Sequence, residues 1–533
     1  MAVTIKDVAA AAGVSPSTVS RTCKDSPSIS RETKERVRRI MAQLGYEPNF
    51  EAEPVEAFSK TIGIILPSSQ RDVYENAFHL EIIRGIRGLC GPDFPVVVRL
   101  AVDEYYRSIG KPGEGIELAQ GVEIAKCLEQ AGVDAIDVSS ATYETMNYWL
   151  EPASFEPGWR RNLARAVKEK VKIPVLAANV IRSPEQAEAQ LQEGCQDFVC
   201  LGRPHLADPA WSRKAALGRG EDIRRCISCL WCFESFLTNA AKGETLECAV
   251  NPRLGRERET AEPLRNGAGR VVVIIGAGPA GLSAAGILGL RGFKPIVLEK
   301  SAFVGGQLQL ANKPPKKDKI NWCFTDLQHD ALKNGAEIRF NTEATPESVK
   351  ALDPYAVVVA TGAKAVVPPV EGVHLPHVCT VTEILNGSVR LKNQRVAVIG
   401  SGMTGLETAE KLAEEGNRVL VVEMMDQIAP GAHPQHVDDI LPRLKACSTD
   451  FIVGHKLVKI SADVIFLEST AGGKRREEKA DAVVLSVGVK SNNALASALQ
   501  PHFPGLRVIG DARRVGRIPQ AVRDGFDTAW NLM

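Results

Sequence analysis

Four cysteines are set at Cys226-x2-Cys229-x2-Cys232-x15-Cys248 in "RRCISCLWCFESFLTNAAKGETLECAVNP". Three thiols so close together can wrap one corner of an iron–sulfur cubane while the fourth returns from downstream. Thiolates suit iron by softness and charge. A structural zinc site is the alternative, although its ligands come more often as two separated pairs. The chain holds 12 cysteines, and its opening "MAVTIKDVAAAAGV" places Lys6 and Asp7 too early for an export leader. A reducing compartment, the cytoplasm, is therefore expected, and the clustered thiols read as ligands and not as disulfides.

A second chemistry is written in glycines. "VVVIIGAGPAGLSAAGILGLRGFKPIVLEK" carries Gly276-x-Gly278-x-x-Gly281 and ends on Glu299. Such glycines tighten a strand-to-helix turn and let a pyrophosphate reach the helix N-terminus, while the acid binds ribose hydroxyls. The uncharged run 271–290 raises the alternative of a membrane helix, but its glycines and Pro279 fit a soluble strand–loop–helix, and no membrane partner is expected. "VAVIGSGMTGLETAEKLAEEGNRVLVVEMM" repeats the pattern with Gly400, Gly402, Gly405 and Glu423. Glu423 would accept from a free ribose 2′-hydroxyl and repel a 2′-phosphate, which favours NADH over NADPH. A Rossmann fold without its ligand is the alternative. No CxxC pair lies within 268–533, so disulfide reduction is not expected and electrons need another exit.

These residues must be positioned by α/β elements. The chain has 533 residues, 44% hydrophobic and 24% charged, with a net charge of +1, values of a multidomain globular chain and not of a globally polyanion-binding one. "FPVVVRL", "DAIDVSS", "IPVLAAN" and "DFVCLGR" read as four buried strands with helical patterns between them, which predicts a parallel sheet with crossover helices. A complete (β/α)8 barrel needs about 250 residues, so only its last four strands are expected. The N-terminus differs. "TIKDVAAAAGVSPSTVSR" predicts two short helices about a turn at Gly13, with Thr4 and Ser15 as caps and Val8, Ala11 and Ala12 on one face. In "SRETKERVRRIMAQLGY", Val37, Ile40, Met41 and Leu44 face inward, while Lys34, Arg36, Arg38 and Arg39 do not. Residues 1–50 hold eight Lys/Arg against five Asp/Glu, a mild basic bias. The arithmetic is that of a helix-turn-helix, with a structural three-helix bundle as the alternative.

The head, from "TIKDVAAAAGVSPSTVSR" through "LGYEPN", resembles the lac-repressor family of bacterial regulators. The resemblance implies that Pro16, Ser17 and Arg21 face base edges and that Ser15, Thr18 and Ser20 hold phosphates. It also implies a DNA-inserting hinge, but "NFEAEPVEAFSK" puts Glu51, Glu53 and Glu56 near phosphates, Pro54 in the helix, and Val55 where the family has a leucine. "KTIGIILPSSQRDVYENAFHLEIIRGI" resembles the start of that family's effector domain. Without the rest of that domain, which supplies the dimer interface, operator binding is expected to be weak.

From "GPDFPVVVRLAVDE" to "LGRPHLADP" the chain resembles the barrel of the old yellow enzyme family, in its iron–sulfur branch with 2,4-dienoyl-CoA reductase and trimethylamine dehydrogenase. The resemblance implies that Arg99 approaches a flavin's pyrimidine edge and that Gly202 and Arg203 hold the FMN phosphate. Asn179 and Val180 stand where the family often has a glycine. The family's fourth strand, with its His- or Tyr-bearing motif, is not found; Tyr105, Tyr106 and His205 read as ordinary loop residues, and no catalytic acid is assigned. "CAVNP" also resembles this branch, which implies a 4Fe-4S cluster. "GGQLQLA", "VVVATGA" and "VIGDARRVGRIPQAVRDG" resemble the two-dinucleotide-binding flavoprotein fold of disulfide reductases. There Gly305, Gly306 and Gln307 lie along the FAD, Asp511 binds its ribityl chain, and Gln520 and Ala521 start a helix at the isoalloxazine.

The expected organisation is a helix-turn-helix head at 1–57, an effector-domain start and junction at 58–86, and half a TIM barrel at 87–220. An iron–sulfur segment at 221–258 follows, then an FAD domain at 268–388 and 505–533 with an NAD(P)H domain at 389–504 nested in it. The resemblance implies electron flow from NADH through FAD, the cluster and FMN to an activated alkene, with the FMN half-site incomplete. Expected partners are operator DNA, a small-molecule acceptor such as an enoyl compound, and a second copy of the chain. A redox-sensing regulator and a junction of two unrelated genes are the other readings. The stretch "LEIIRGI" fits both parents as an amphipathic helix, with Ile82, Ile83 and Ile86 buried and Arg84 and Arg87 outside.

Overall fold

The computed structural model describes residues 5–23, 29–44, 62–65 and 77–533. The chain divides into two compact units, Met1–Ile62 and Gly63–Met533. Thr4, the hinge and most of "LGYEPN" lie outside the described residues.

In the first unit the helices Ile5–Ala12, Pro16–Cys23 and Arg31–Leu44 close on Val8, Ala9, Ala12, Val19 and Val37. Gly13 turns the chain at a φ of +64°, where a side chain would be strained. The Thr18 amide donates to the Ser15 hydroxyl at 3.2 Å, an N-cap. Ile40 and Met41 pack against the core. Two expectations are corrected. Ala11 is exposed and Ala9 takes its place inside, because Val8, Ala9 and Ala12 share the face that meets the other helices. Leu44, at the helix end, is also exposed.

In the second unit a sheet of five strands runs in the order Ile62–Ile65, Val96–Ala101, Ala135–Ser139, Val175–Ala177, Phe198–Val199. The pairings from Val96–Ala101 onward are all parallel. The expected four strands are thus five: "IGII", read as an effector-domain strand, extends this sheet. The helices Leu118–Gln130 and Arg161–Lys168 bury Ile124, Leu128, Leu163 and Val167 against it. The helix Ala77–Cys90 places Ile83 in the same core with Ile86 packed on it. Glu81 and Arg84 face solvent and pair at 2.6 Å. Arg87 is not outside as expected. It is half-buried, bonding Asp134 at 2.6 Å and the carbonyl of Gly132 at 3.0 Å, so that its guanidinium straps the helix to the loop before the strand Ala135–Ser139.

Two doubly wound sheets follow. The first has the order Arg507–Val508, Ala356–Val359, Val271–Ile275, Lys294–Leu298, Glu337–Arg339. The second has the order Val378–Thr380, Ala482–Leu485, Arg395–Ile399, Arg418–Val422, Asp450–Ile452. Every pairing in both is parallel. In each, the strand order reverses beside the glycine loop, the switch point where such sheets bind ligands. The antiparallel pair Ala363–Ala365 and Val489–Ser491 carries the chain out to the second sheet and back. Among the described residues no helix is long and apolar enough to cross a membrane: the run 271–290 is the strand Val271–Ile275 and the helix Pro279–Leu290.

Candidate functional site

In the first glycine loop each glycine has its own steric reason. Gly276 has a φ of +104°, and a Cβ there would meet the Ala360 carbonyl at 2.5 Å. A Cβ on Gly281 would meet the Gly276 carbonyl at 2.0 Å, so helix and loop could not close. Gly278 has no neighbour within 4 Å of such a Cβ; it opens onto the crevice at the head of the helix Pro279–Leu290, where an anion finds free amides. The second loop repeats this: Gly400 faces the Ser486 carbonyl at 2.4 Å, Gly405 the Gly400 carbonyl at 2.1 Å, and Gly402 is open. Both loops therefore fit a dinucleotide.

The acids close both sites. Glu299 is buried and accepts from the Ala277 and Ser301 amides, each at 2.8 Å. Glu423 is buried and accepts from the Ser401 amide at 2.8 Å and the Met425 amide at 2.9 Å. Burial pushes the Glu423 carboxyl up, but hydrogen bonds from Met425 and Ser401 outweigh it and hold it below its ordinary value. Gly306 approaches the first loop, with a Cβ there 3.3 Å from the Gly278 Cα. Gln307 donates to the Ala363 carbonyl at 3.0 Å. Asp511 accepts from the Gly516 amide at 3.0 Å, and burial raises its carboxyl. Gln520 and Ala521 lie in the first turn of the helix Ile518–Trp530, where Gln520 accepts from the Arg517 amide at 2.9 Å.

Cys226, Cys229, Cys232 and Cys248 line one cavity together with Arg203, Leu206, Ile227, Leu230, Ala249 and Val250. Burial pushes the Cys229 thiol well up and the Cys248 thiol to about 12, and the neighbouring thiols add to both shifts. Thiols held up in this way in an apolar pocket need a cationic centre to become thiolates. The four thiols line one cavity, as the ligands of a cluster of several irons would.

The segment is gripped from the FAD side. Glu234 accepts from Arg517 at 2.9 and 2.7 Å, and the Arg517 guanidinium lies 4.5 Å from the Trp231 ring centroid. Glu247 accepts from Trp231 at 3.2 Å and also pairs with Arg523. On the barrel side, Arg99 pairs with Asp137 at 3.2 Å. Gly202 is exposed and open. Arg203 is bound by Glu151 and faces the thiols. Val180 sits at a φ of +48°, a left-handed conformation costly for a β-branched residue; here the chain keeps a glycine's backbone without the glycine. Asn179 is buried and accepts from the Arg160 amide at 2.7 Å.

Tyr105 stacks on Tyr148 at 4.5 Å, and burial raises its phenol well above its ordinary value. Tyr106 takes a 3.5 Å hydrogen bond from Thr142, and His205 lies 3.2 Å from the Ser212 hydroxyl. The residues that sequence reasoning missed are Glu151, Arg160, Arg182, Trp231, Glu234 and Arg517. Except for the pair Glu151 and Arg160, their partners lie far along the chain, and only the Trp within "CLWC" carried a local signal.

Residues 4–49 match the bacterial regulatory proteins, lacI family. Residues 74–222 match the NADH:flavin oxidoreductase / NADH oxidase family, and 270–509 match the pyridine nucleotide-disulphide oxidoreductase family. "LEIIRGI" thus falls within the flavin oxidoreductase match. The NADH oxidase of Thermoanaerobacter brockii is 38% identical over 463 residues, covering 85% of this chain and 69% of that protein. The cinnamate reductase of Clostridium sporogenes is 30% identical over the same shares of 85% and 69%. A 2-naphthoyl-CoA reductase in complex with 2-naphthoyl-CoA superposes with a TM-score of 0.81 at 27% identity, over 97% of this chain and 77% of that one. Histamine dehydrogenase from Rhizobium sp. 4-9 shares the fold, with a TM-score of 0.78 at 23% identity over 95% and 77%. With two glycine loops shaped for dinucleotides, a thiol-lined cavity and relatives of this closeness, the chain belongs to the NADH:flavin oxidoreductase / NADH oxidase family and is a flavin- and NAD(P)H-dependent oxidoreductase.

Proposed function

We propose that the chain passes electrons from NADH, held at Gly400, Gly402, Gly405 and Glu423, to a flavin acceptor chain that ends on an activated alkene. In this reading Gly276, Gly278, Gly281, Glu299, Gly306, Gln307, Asp511, Gln520 and Ala521 hold FAD. Cys226, Cys229, Cys232 and Cys248 hold a 4Fe-4S cluster, and Arg99, Gly202 and Arg203 border FMN. When bound, these groups carry the electrons, and the protein supplies their spacing and surroundings. One observation carries the reading. The thiols share their cavity with Arg203 of the barrel, while Glu234 and Trp231 of the same segment grip Arg517 at the head of the helix Ile518–Trp530. A cluster there stands between the two flavin-binding regions. The domain limits of the sequence reading, with the nested NAD(P)H region at 389–504, belong to this proposal.

The residues have separable tasks. Glu423 orients the adenine ribose and repels a 2′-phosphate. The open Gly278 and Gly402 admit pyrophosphates. Arg160 and Arg203 keep the buried Glu151 ionised against the cost of its burial. The test is anaerobic reduction of the purified flavoprotein by NADH, followed by turnover with a dye and with an α,β-unsaturated carboxylate or its CoA thioester. Dye reduction with alkene turnover supports the whole route. Dye reduction alone confines function to the NADH and FAD half, and a protein that binds no flavin ends the reading.

The lacI match favours a second activity for the head: weak operator binding through Ser15, Pro16, Ser17, Thr18, Ser20 and Arg21. Anisotropy titrations of a pseudopalindromic duplex, with oxidised and reduced protein, test both DNA binding and its coupling to redox state. Affinity equal to that for random duplex removes the idea.

A further inference from the structure

Two buried arginines, Arg160 and Arg182, and the part-buried Arg203 that lines the thiol cavity lie in this region. Arg160 pairs with Glu151 at 2.7 Å, and Arg203 pairs with the same carboxylate. Arg182 is 4% exposed. Its Nη2 donates to the Ser228 hydroxyl at 2.7 Å and its Nη1 to the Ile181 carbonyl at 2.9 Å, both neutral acceptors. Its Nε has no hydrogen-bond partner among the described residues. Ser228 lies between Cys226 and Cys229 and is fully buried at a φ of +54°, so the Arg182 guanidinium is fastened to the turn that presents the first two thiols.

The charges do not balance within the protein. Arg160 and Arg203 share the buried Glu151 carboxylate, Arg182 has no carboxylate partner among the described residues, and an unpaired charge in a low-dielectric interior is costly. Burial pushes the Arg182 guanidinium down, and a thiolate at Cys226 would oppose that more strongly than Glu151 does. Arg203 likewise feels Cys226, Cys232 and Cys229 after Glu151. An anion in the thiol cavity would supply the missing charge, and a tetrathiolate iron–sulfur cluster is such an anion. It becomes more negative by one charge when it takes up one electron, so a nearby buried cation favours its reduced form.

We infer that Arg182, fastened by Ser228 behind Cys226, is a potential-setting residue: its uncompensated charge raises the reduction potential of the cluster held by Cys226, Cys229, Cys232 and Cys248. The inference rests on the cluster reading above. Arg182 touches no reacting atom; it acts through the field at the thiols. Arg203 contributes to the same field but shares Glu151 with Arg160, whereas Arg182 has no carboxylate partner among the described residues.

The test is anaerobic potentiometric titration of the full chain with dithionite as electron donor, read by the low-temperature EPR signal of the reduced cluster, with iron and sulfide determined on every sample. Arg182→Gln should keep its iron and shift the midpoint to lower potential. Arg182→Lys and Ser228→Ala keep the charge and should stay near the wild-type midpoint. An Arg182→Gln protein with full iron and an unchanged midpoint overturns the inference. So does a Ser228→Ala shift as large as that of Arg182→Gln, which would assign the effect to hydrogen bonding. Should Arg182→Gln fail to hold iron, Arg182→Met takes its place: an iron-loaded Arg182→Met protein with a lowered midpoint supports the inference, and one at the wild-type midpoint overturns it. A wild-type protein without iron defeats the cluster reading itself, and the inference with it.

Discussion

Glu423 does two jobs at once. It accepts from the Ser401 and Met425 amides, which fixes the glycine loop, and it keeps negative charge where a ribose would lie. Glu423→Gln keeps the size and removes the charge. Steady-state kinetics should show the NADH-to-NADPH ratio of kcat/KM falling about tenfold, or about 1.4 kcal/mol. The cysteines are the other residue-scale handle. Cys248→Ser should lose most of the iron while NADH still bleaches the flavin absorbance, because the glycine loops do not depend on the thiol cavity. The glycines, acids and cysteines were legible in the sequence because each motif is local: one turn, or one segment. The arginines behind the cavity were not. Arg182 meets Ser228 across 46 residues and Arg203 meets Glu151 across 52, and an isolated arginine in a sequence gives no sign of being buried.

Between elements, the helices Pro279–Leu290 and Ile518–Trp530 pack closely on one another. A Cβ on Gly525 would lie 2.1 Å from the Ala280 carbonyl. Gly525→Ala must push the helices apart and should cost about 1–3 kcal/mol, read as a lower urea midpoint together with weaker FAD retention. A second junction joins the cysteine segment to the helix Ile320–Lys333, where Asp222 pairs with Lys333 at 2.6 Å and His329 at 2.8 Å. Burial alone would raise the Asp222 carboxyl, but hydrogen bonds from Lys333, His329 and Arg219 hold it well below the usual range. A carboxyl depressed in the folded state contributes stability above its unfolded pKa near 4, and that stability is lost as pH falls through the folded value. The urea midpoint should therefore drop below about pH 4, and Asp222→Asn should lower the midpoint at neutral pH and flatten that drop. Strands and helices of the doubly wound regions were readable from runs such as "VVVII" followed by glycines. The fifth barrel strand was not, because "IGII" carries the same apolar pattern whether it opens one sheet or extends another. Arg87 was misplaced for a related reason: periodicity assigns a face, but a long side chain can turn back to cap carbonyls.

Across the whole molecule, two family matches meet between residues 49 and 74. The helix containing "LEIIRGI" falls on the flavoenzyme side, with Ile83 in the core of the sheet that begins at Ile62–Ile65. The second dinucleotide region is attached differently. The chain leaves and re-enters through strands whose Ala365 and Val489 are direct partners, and the Val366 amide still bonds the Gly488 carbonyl at 3.0 Å. Exit and return are therefore one hydrogen-bonded rung apart, and the insert is a cassette with a single doorway. Replacing residues 366–488 by an Asn-Gly turn would close that doorway as an ordinary β-hairpin. The shortened protein should fold, keep its flavin absorbance and iron, and accept electrons from dithionite but not from NADH. Such a chain would be a reductase with its fuel inlet removed and its wiring intact, open to being fitted with a different electron donor by grafting another domain onto the same two strands.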